Sequence, residues 1–294
     1  MRVLVTGAAG FLGQHICSLL DTSGHEVIGT DLIQNQWVKS PFDVDITVPE
    51  RFLFNPASLD AVIHLAAIAA PRECDADPAR AFNVNVNGTH QVLKLALEAG
   101  VKKFVFVSSA HVYGISPRYL PTDERHPLAL HDTYTTTKIL GEQLCELYYQ
   151  NHGLSYTTLR LYNAYGPGQR RGYFIPDMIY KARNGGIGEL AGATTKDFVY
   201  VEDVARGCVS ALETPFVGPI NIGTGRQCTL FHVAGLIADK VGVPKAEAVS
   251  SSATKMQSDS TRAKRVLDWE PTVRIEEGLD ATIADASFQP LRYR

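Results

Sequence analysis

Two residues one helical turn apart, Tyr134 and Lys138, carry the most definite chemistry in this sequence. They bound the run Tyr134-Thr135-Thr136-Thr137-Lys138, inside a segment whose pattern predicts a helix over 132–151. Side chains four apart on a helix share a face. A free phenol has a pKa of roughly 10 and is a poor base at neutral pH. A lysine ammonium a few ångströms away favours the phenolate and draws that value toward the working pH. The pair is therefore suited to moving the proton of a carbinol. Ser109 is the third candidate. It ends the apolar run Lys103-Phe104-Val105-Phe106-Val107-Ser108-Ser109, at the strand end where open sheets bind ligands, and its hydroxyl can donate to an oxyanion.

These side chains need a scaffold, and the first forty residues describe one. The apolar run Arg2-Val3-Leu4-Val5-Thr6 is followed by Gly7-Ala8-Ala9-Gly10-Phe11-Leu12-Gly13 and a helical pattern through Leu20. Strand, glycine turn and helix form a dinucleotide-binding context. Gly7 allows the tight turn, Gly10 lets backbone approach a pyrophosphate resting on the helix N-terminus, and Gly13 lets helix pack close to strand. The spacing is G-x-x-G-x-x-G. A second strand, His25-Glu26-Val27-Ile28-Gly29-Thr30, ends in Asp31. An acid about 20 residues after the glycines accepts the adenosine ribose hydroxyls. Leu32 and Ile33 follow, with no arginine to welcome a 2′-phosphate, so NAD is expected over NADP. A third short strand is expected over 43–46, and a fourth, buried on both faces, over 60–67. A single helix is predicted over 78–99. Alternation of strand and helix predicts a Rossmann-type, doubly wound parallel α/β sheet.

Composition narrows the class. The 294 residues are 45% hydrophobic and 20% charged, enough for a sizeable core. A net charge of −3 gives no electrostatic case for a nucleic-acid or membrane partner. The five cysteines, Cys17, Cys74, Cys145, Cys208 and Cys228, show no metal spacing and suit a reducing compartment. No metal site is expected. No basic-then-apolar leader precedes the first motif, and a cytoplasmic location is the expectation.

Further motifs make a resemblance specific. They are Asp45-Ile46, His64-Leu65-Ala66-Ala67, Asn85-Val86-Asn87-Gly88-Thr89, Ser108-Ser109-Ala110-His111-Val112-Tyr113-Gly114, Arg160-Leu161-Tyr162-Asn163-Ala164-Tyr165-Gly166-Pro167-Gly168 and Asp197-Phe198-Val199-Tyr200-Val201-Glu202-Asp203. With Asn221-Ile222-Gly223-Thr224-Gly225 and Leu267-Asp268-Trp269-Glu270-Pro271 they cover nearly the whole chain. The sequence resembles the extended short-chain dehydrogenase/reductase family, the nucleotide-sugar epimerases and dehydratases of the UDP-glucose 4-epimerase type. The resemblance implies that residues 1–165 with about 200–225 bind NAD. Residues about 166–199 with 226–294 would form a smaller α/β substrate-binding domain. It implies backbone contacts from Phe11 and Leu12 to the pyrophosphate, adenine between Asp45 and Ile46, a lining of Leu65, Ala66 and Ala67, support from Asn85, and Tyr162 near the nicotinamide. Ser109, Tyr134 and Lys138 would be the catalytic residues, with Lys138 also on the nicotinamide ribose. It further implies a homodimer through helices near 82–99 and 132–151.

The substrate end departs from the family pattern. Lys196 stands where arginine usually precedes Asp-Phe, and Tyr173 stands where many epimerases carry asparagine. The segment Ala246–Lys255 lacks the usual Arg-x-Gly-Asp. Arg170, Arg171 and Arg226 are left as cations that could replace it. Ser109, His111, Tyr134, Asn163, Arg171, Tyr173, Lys196 and Arg226 are the expected substrate contacts. The nucleotide is expected to be held differently from the usual epimerases, or to be missing. Ala110 and His111 replace the Asp-Glu pair of the dehydratases, which argues against sugar dehydration. The leading expectation is an NAD-dependent epimerase acting on a nucleotide sugar at carbon 4 through a transient keto intermediate. The second is a dehydrogenase or ketoreductase of a sugar or sugar acid with net redox turnover, and the third a non-catalytic dinucleotide-binding protein.

Overall fold

The computed structural model describes residues 1–38, 44–48, 59–249 and 253–285. Six strands form one parallel sheet: β1 (Arg2–Thr6), β2 (Glu26–Thr30), β3 (Ala61–His64), β4 (Lys103–Ser109), β5 (Tyr156–Leu161) and β10 (Gly218–Ile222). Their spatial order is β10-β5-β4-β3-β1-β2, and every neighbouring pair runs parallel. From β1 the chain goes first to β2 on one side, and later to β3 on the other. That reversal opens a crevice at the carboxyl ends of β1 and β3, where such sheets take their ligands.

The near-continuous apolar runs that form β1, β3 and β4 are buried on both faces. On one face α1 (Phe11–Thr22), α7 (Val201–Ser210) and α9 (Thr261–Leu267) pack with Ile16, Leu20, Val204 and Leu267 over Val3, Val5 and Ile63. On the other, α4 (Thr89–Ala99) and α5 (Thr133–His152) press Val92, Leu93 and Cys145 onto Leu4, Val62, Phe104 and Phe106. A third apolar cluster joins α6 (Phe174–Arg183), β9 (Phe198–Tyr200), α8 (Leu230–Val241) and α10 (Ile275–Ala284). Short pairings complete it: β6 (Asn163–Tyr165) with β9, β7 (Glu189–Ala191) with β12 (Glu247–Val249), and β8 (Thr195–Lys196) with β11 (Cys228–Thr229). Two further short helices, α2 (Pro71–Ala76) and α3 (Pro78–Phe82), follow β3.

Two expected elements differ. The third strand is absent where it can be seen. Asp43 lies outside the described residues, and 44–46 form no strand. Asp45 Oδ1 accepts from the Thr47 amide at 2.9 Å and the Thr47 hydroxyl at 2.7 Å, a local turn that competes with a ladder. The helix predicted over 78–99 is α3, a π-helical stretch Asn83–Gly88, and then α4. A π-turn adds a residue to the helical repeat and often marks a functional site. Here it carries the inward-facing Asn85, and Gly88 leaves room for Ile46, whose Cδ1 would lie 2.6 Å from an added Cβ.

Candidate active site

The helix α5 is set by its ends and by one glycine. Asp132 caps it by accepting from the Thr135 amide at 2.6 Å, and Gly153 closes it at φ +73°. Glycine normally weakens a helix interior, yet at Gly141 an added Cβ would sit 2.4 Å from Cζ of Phe106 on β4. Its bare backbone lets α5 lie close enough for Lys138 to reach the sheet. Lys138 Nζ donates to the Val107 carbonyl at 2.9 Å and lies 5.2 Å from the Phe106 ring centroid and 5.9 Å from that of Tyr134. Tyr134 is buried beside Ser109, at the end of β4. Strand and helix thus bring Ser109, Tyr134 and Lys138 together; of the three, only the Tyr134–Lys138 pair follows from spacing.

The electrostatics run against one expectation. Burial raises the Tyr134 phenol above its ordinary value, the neighbouring Tyr173 adds to the rise, and the nearby Ser109 hydroxyl opposes it. Lys138 does not bring the phenol toward neutrality in this state, because its ammonium is turned onto the Val107 carbonyl and is itself desolvated. Burial lowers Lys138 to about 8, opposed by charges that include Glu142 one turn along the helix. Tyr134 therefore rests as a protonated phenol.

The glycine turn has the shape for a dinucleotide. Gly7 adopts φ +74°, and an added Cβ would stand 2.9 Å from the Ala66 amide nitrogen. At Gly13 it would stand 2.1 Å from the Gly7 carbonyl oxygen. Gly10 is the N-cap of α1 with no side-chain cap, so the first amides of the helix stay open to an anion. Phe11 and Leu12 begin that helix. Asp31, at the end of β2, accepts from the Ala9 amide at 2.9 Å and the Ile33 amide at 3.1 Å, while Leu32 is exposed beside it. Burial raises the Asp31 carboxyl, and these backbone donors oppose the rise.

Leu65, Ala66 and Ala67 follow β3 across the crevice. Thr6 Oγ1 accepts from the Leu65 and Ala66 amides at 3.2 Å each and contacts His64 Nδ1 at 2.7 Å. His64 Nε2 meets Thr89 at 2.9 Å. Burial holds this histidine near pKa 3, neutral at every physiological pH. Asn85 Oδ1 accepts from the Ile68 amide at 2.8 Å, and its Nδ2 donates to the Ile68 carbonyl and to Thr137, each at 3.0 Å. The π-turn thereby ties the strand end that would line NAD to the helix bearing Tyr134. Tyr162 is buried against Ala110, Val112 and Met256.

The expected substrate residues divide into two groups. Tyr173 lies near Tyr134, and the charge of Arg170 acts on its phenol. The His111 ring meets the Tyr134 ring edge-on at 6.3 Å. Lys196 acts on His111 electrostatically and donates to Met256 Sδ at 3.3 Å. The Asn163 amide and side chain both donate to the Asp197 carbonyl. Arg171, by contrast, is engaged locally by Asp177 at 3.1 Å and stacks 3.5 Å above Tyr180, while Arg226 is exposed. Sequence reasoning missed Glu73, which pairs with Arg170 at 2.7 Å across the cleft. No local spacing links them, since they lie 97 positions apart in the chain. It also missed the buried Arg160–Glu142 pair at 2.6 Å, joined by Ser108. Nor did it anticipate the role of Asp197, fully buried and accepting from Thr224, Gly225 and Ser258. That carboxylate fixes the strand carrying Lys196.

Comparisons with known proteins agree with this geometry. The model of the "NAD dependent epimerase/dehydratase family" matches residues 3–223. UDP-glucuronic acid decarboxylase 6 of Arabidopsis thaliana is 31% identical, over 95% of this chain and 87% of its own length. The UDP-glucuronate 4-epimerase of Thermodesulfobacterium geofontis is 32% identical, over 95% and 94%. The crystal structure of UDP-glucose 4-epimerase from Thermotoga maritima with UDP-glucose superposes with a TM-score of 0.86 at 31% identity, over 97% of this chain and 98% of that one. Matches of this length and position leave a single assignment: the chain belongs to the NAD dependent epimerase/dehydratase family and is an NAD-dependent enzyme of the extended short-chain dehydrogenase/reductase type.

Proposed function

We propose that the protein epimerises a nucleotide sugar at carbon 4 through a transient keto sugar. The convergence of Ser109, Tyr134 and Lys138, with Ser109 at the carboxyl end of β4 and Lys138 Nζ 5.9 Å from the Tyr134 ring centroid, is the observation that carries this reading. Relatives that act on UDP-glucose and UDP-glucuronate support it. When bound, NAD supplies a hydride acceptor whose oxidised ring is positively charged. Gly7, Gly10, Phe11, Leu12 and Gly13 would hold its pyrophosphate, Asp31 and Leu32 its adenosine ribose, and Asp45 and Ile46 its adenine. Leu65, Ala66, Ala67, Asn85 and Tyr162 would complete its lining.

Tyr134 Oη takes the proton of the sugar hydroxyl and returns it when the keto oxygen is reduced again. A nearby positive charge lowers a phenol's pKa, which offsets the burial that keeps Tyr134 protonated without a ligand. Ser109 Oγ donates to the developing oxyanion. With the cofactor bound, Lys138 would hold the nicotinamide ribose beside the Tyr134 phenol. Inversion requires the keto sugar to turn over before reduction, so the pocket must grip the rest of the substrate more firmly than the ring.

The division into a nucleotide part, 1–165 with about 200–225, and a substrate part, about 166–199 with 226–294, belongs to the same reading. So does a homodimer through α4 and α5, supported by a groove lined by Phe82, Val86, His90 and Leu144. A cytoplasmic location is supported by five free cysteines. Incubation with catalytic NAD and a panel of UDP-sugars, followed by NMR of the sugar and absorbance of NADH, tests the reaction. Epimerisation yields an equilibrium mixture without accumulated NADH. Stoichiometric NADH with an oxidised sugar would replace this reading by net dehydrogenation.

A further inference from the structure

Beneath the Tyr134 pocket, one carboxylate ties the helix that bears the chemistry to the sheet. Tyr134, Lys138 and Glu142 stand on three successive turns of one face of α5. Each meets a different one of the last three residues of β4. Tyr134 lies beside Ser109, Lys138 Nζ donates to the Val107 carbonyl at 2.9 Å, and the Ser108 hydroxyl donates to Glu142 Oε1 at 2.6 Å. Arg160 grips the same carboxylate from β5, with Nη2 donating to Oε2 at 2.6 Å and Nε to Oε1 at 3.0 Å. Ser108 and Arg160 face each other in the β4–β5 ladder, and Asn221 faces Arg160 from β10. Tyr113 ends the short 3-10 turn that follows Ser109. Its phenol accepts from Arg160 Nη1 at 3.0 Å and donates to Asn221 Oδ1 at 2.6 Å, which pins that turn to the same row. All five of these side chains, Ser108, Tyr113, Glu142, Arg160 and Asn221, are buried.

Stability alone does not call for such a bridge. The attraction within a buried ion pair is largely offset by its desolvation, and a well-packed apolar replacement is often as stable or more so. What the pair adds is direction. Apolar packing of α5 on β4 resists separation but tolerates a slide along the strand. A bidentate guanidinium on a carboxylate, completed by a hydroxyl, does not. We propose that the Ser108–Glu142–Arg160 bridge is a positioning device: it sets where α5 lies along β4, and so brings the Tyr134 phenol and the Ser109 hydroxyl onto one substrate oxygen. Its three residues act through Tyr134, Lys138 and Ser109 rather than on the sugar. The effect on turnover rests on the epimerase reading above; the seating of α5 does not.

The test compares Ser108→Ala, and the apolar pair Glu142→Leu with Arg160→Met, against the parent on whichever UDP-sugar the parent turns over. Rates are taken per bound NAD, so that unfolded protein is not counted. The apolar pair should lower kcat about tenfold or more with KM nearly unchanged, because a small misplacement is felt in the transition state alone. Ser108→Ala, which removes one tie of the bridge, should lower kcat about threefold at the same KM. Both variants should keep the thermal shift produced by NAD. A crystal structure of the apolar pair should show α5 displaced along β4, with Lys138 drawn off the Val107 carbonyl. Parent-like kcat in either variant, or an α5 that has not moved, overturns the proposal. So does a loss carried wholly by KM, because the bridge would then be shaping the sugar pocket. Should the apolar pair not fold, Ser108→Ala decides alone by the same split between kcat and KM. A displaced α5 in the variant of a parent that turns over no UDP-sugar keeps the positioning role and overturns the epimerase reading.

Discussion

The glycine turn and the Tyr134 pocket open on the same edge of the sheet but are built from different materials. At the turn, backbone and small side chains leave a space. Gly7 and Gly13 stand within 2.9 and 2.1 Å of neighbouring backbone once a Cβ is imagined, and the α1 amides are open. At the pocket, long polar side chains from distant segments converge, and several are already paired: Arg170 with Glu73, Arg171 with Asp177, Arg160 with Glu142. The first region accepts one shape of ligand shared by many enzymes. The second can be retuned by single substitutions, because each side chain there answers to its own partners. Among the described residues Lys196 has no carboxylate partner, only the Met256 thioether.

The largest expected effect lies beneath the pocket. Glu142→Ala would strand Arg160, which is only 5% exposed, and should cost about 3–5 kcal/mol in a denaturant titration. Replacing both partners by apolar residues, Glu142→Leu with Arg160→Met, should recover much of that loss. A single mutant within about 1 kcal/mol of the parent would mean that water reaches the pair.

Next comes the chemistry itself. Tyr134→Phe should lower turnover about a hundredfold or more while NAD affinity stays nearly constant. A comparably active variant would show that the tyrosine serves packing alone. At the glycine turn the pattern should reverse. Gly13→Ala should destabilise the fold by about 1–3 kcal/mol through overpacking and abolish the thermal shift produced by NAD. An unaltered NAD shift would show that the turn can move aside.

The smallest effect is a pH slope. His64 and His111 are held neutral in the fold, near pKa 3 and 4, against an ordinary value of about 6.5 when unfolded. Their folded values are depressed, so the unfolded chain binds more protons below about 6.5. Stability is fully present above that pH and is lost as pH falls toward 4 and then 3. His111→Asn should make the melting midpoint fall less steeply between pH 6.5 and 4. An identical slope would mean that the pocket admits a proton to His111 without cost.

The sequence by itself determined the sheet, the glycine turn, Asp31 and the Ser109–Tyr134–Lys138 trio. Those features depend on local periodicity, on backbone that only glycine permits, or on side chains one turn apart, and each is written in neighbouring letters. It also led to a strand over 43–46 and an unbroken helix over 78–99, where Asp45's local hydrogen bonds and the π-turn around Asn85 prevailed. Only the tertiary structure decided which cations are free. Glu73 and Arg170 meet across 97 residues, and no local pattern could distinguish Arg171, bound by Asp177, from Lys196, left beside a thioether. It also decided the resting state of Tyr134, because burial, a property of the whole fold, outweighs a lysine that the same fold turns toward Val107.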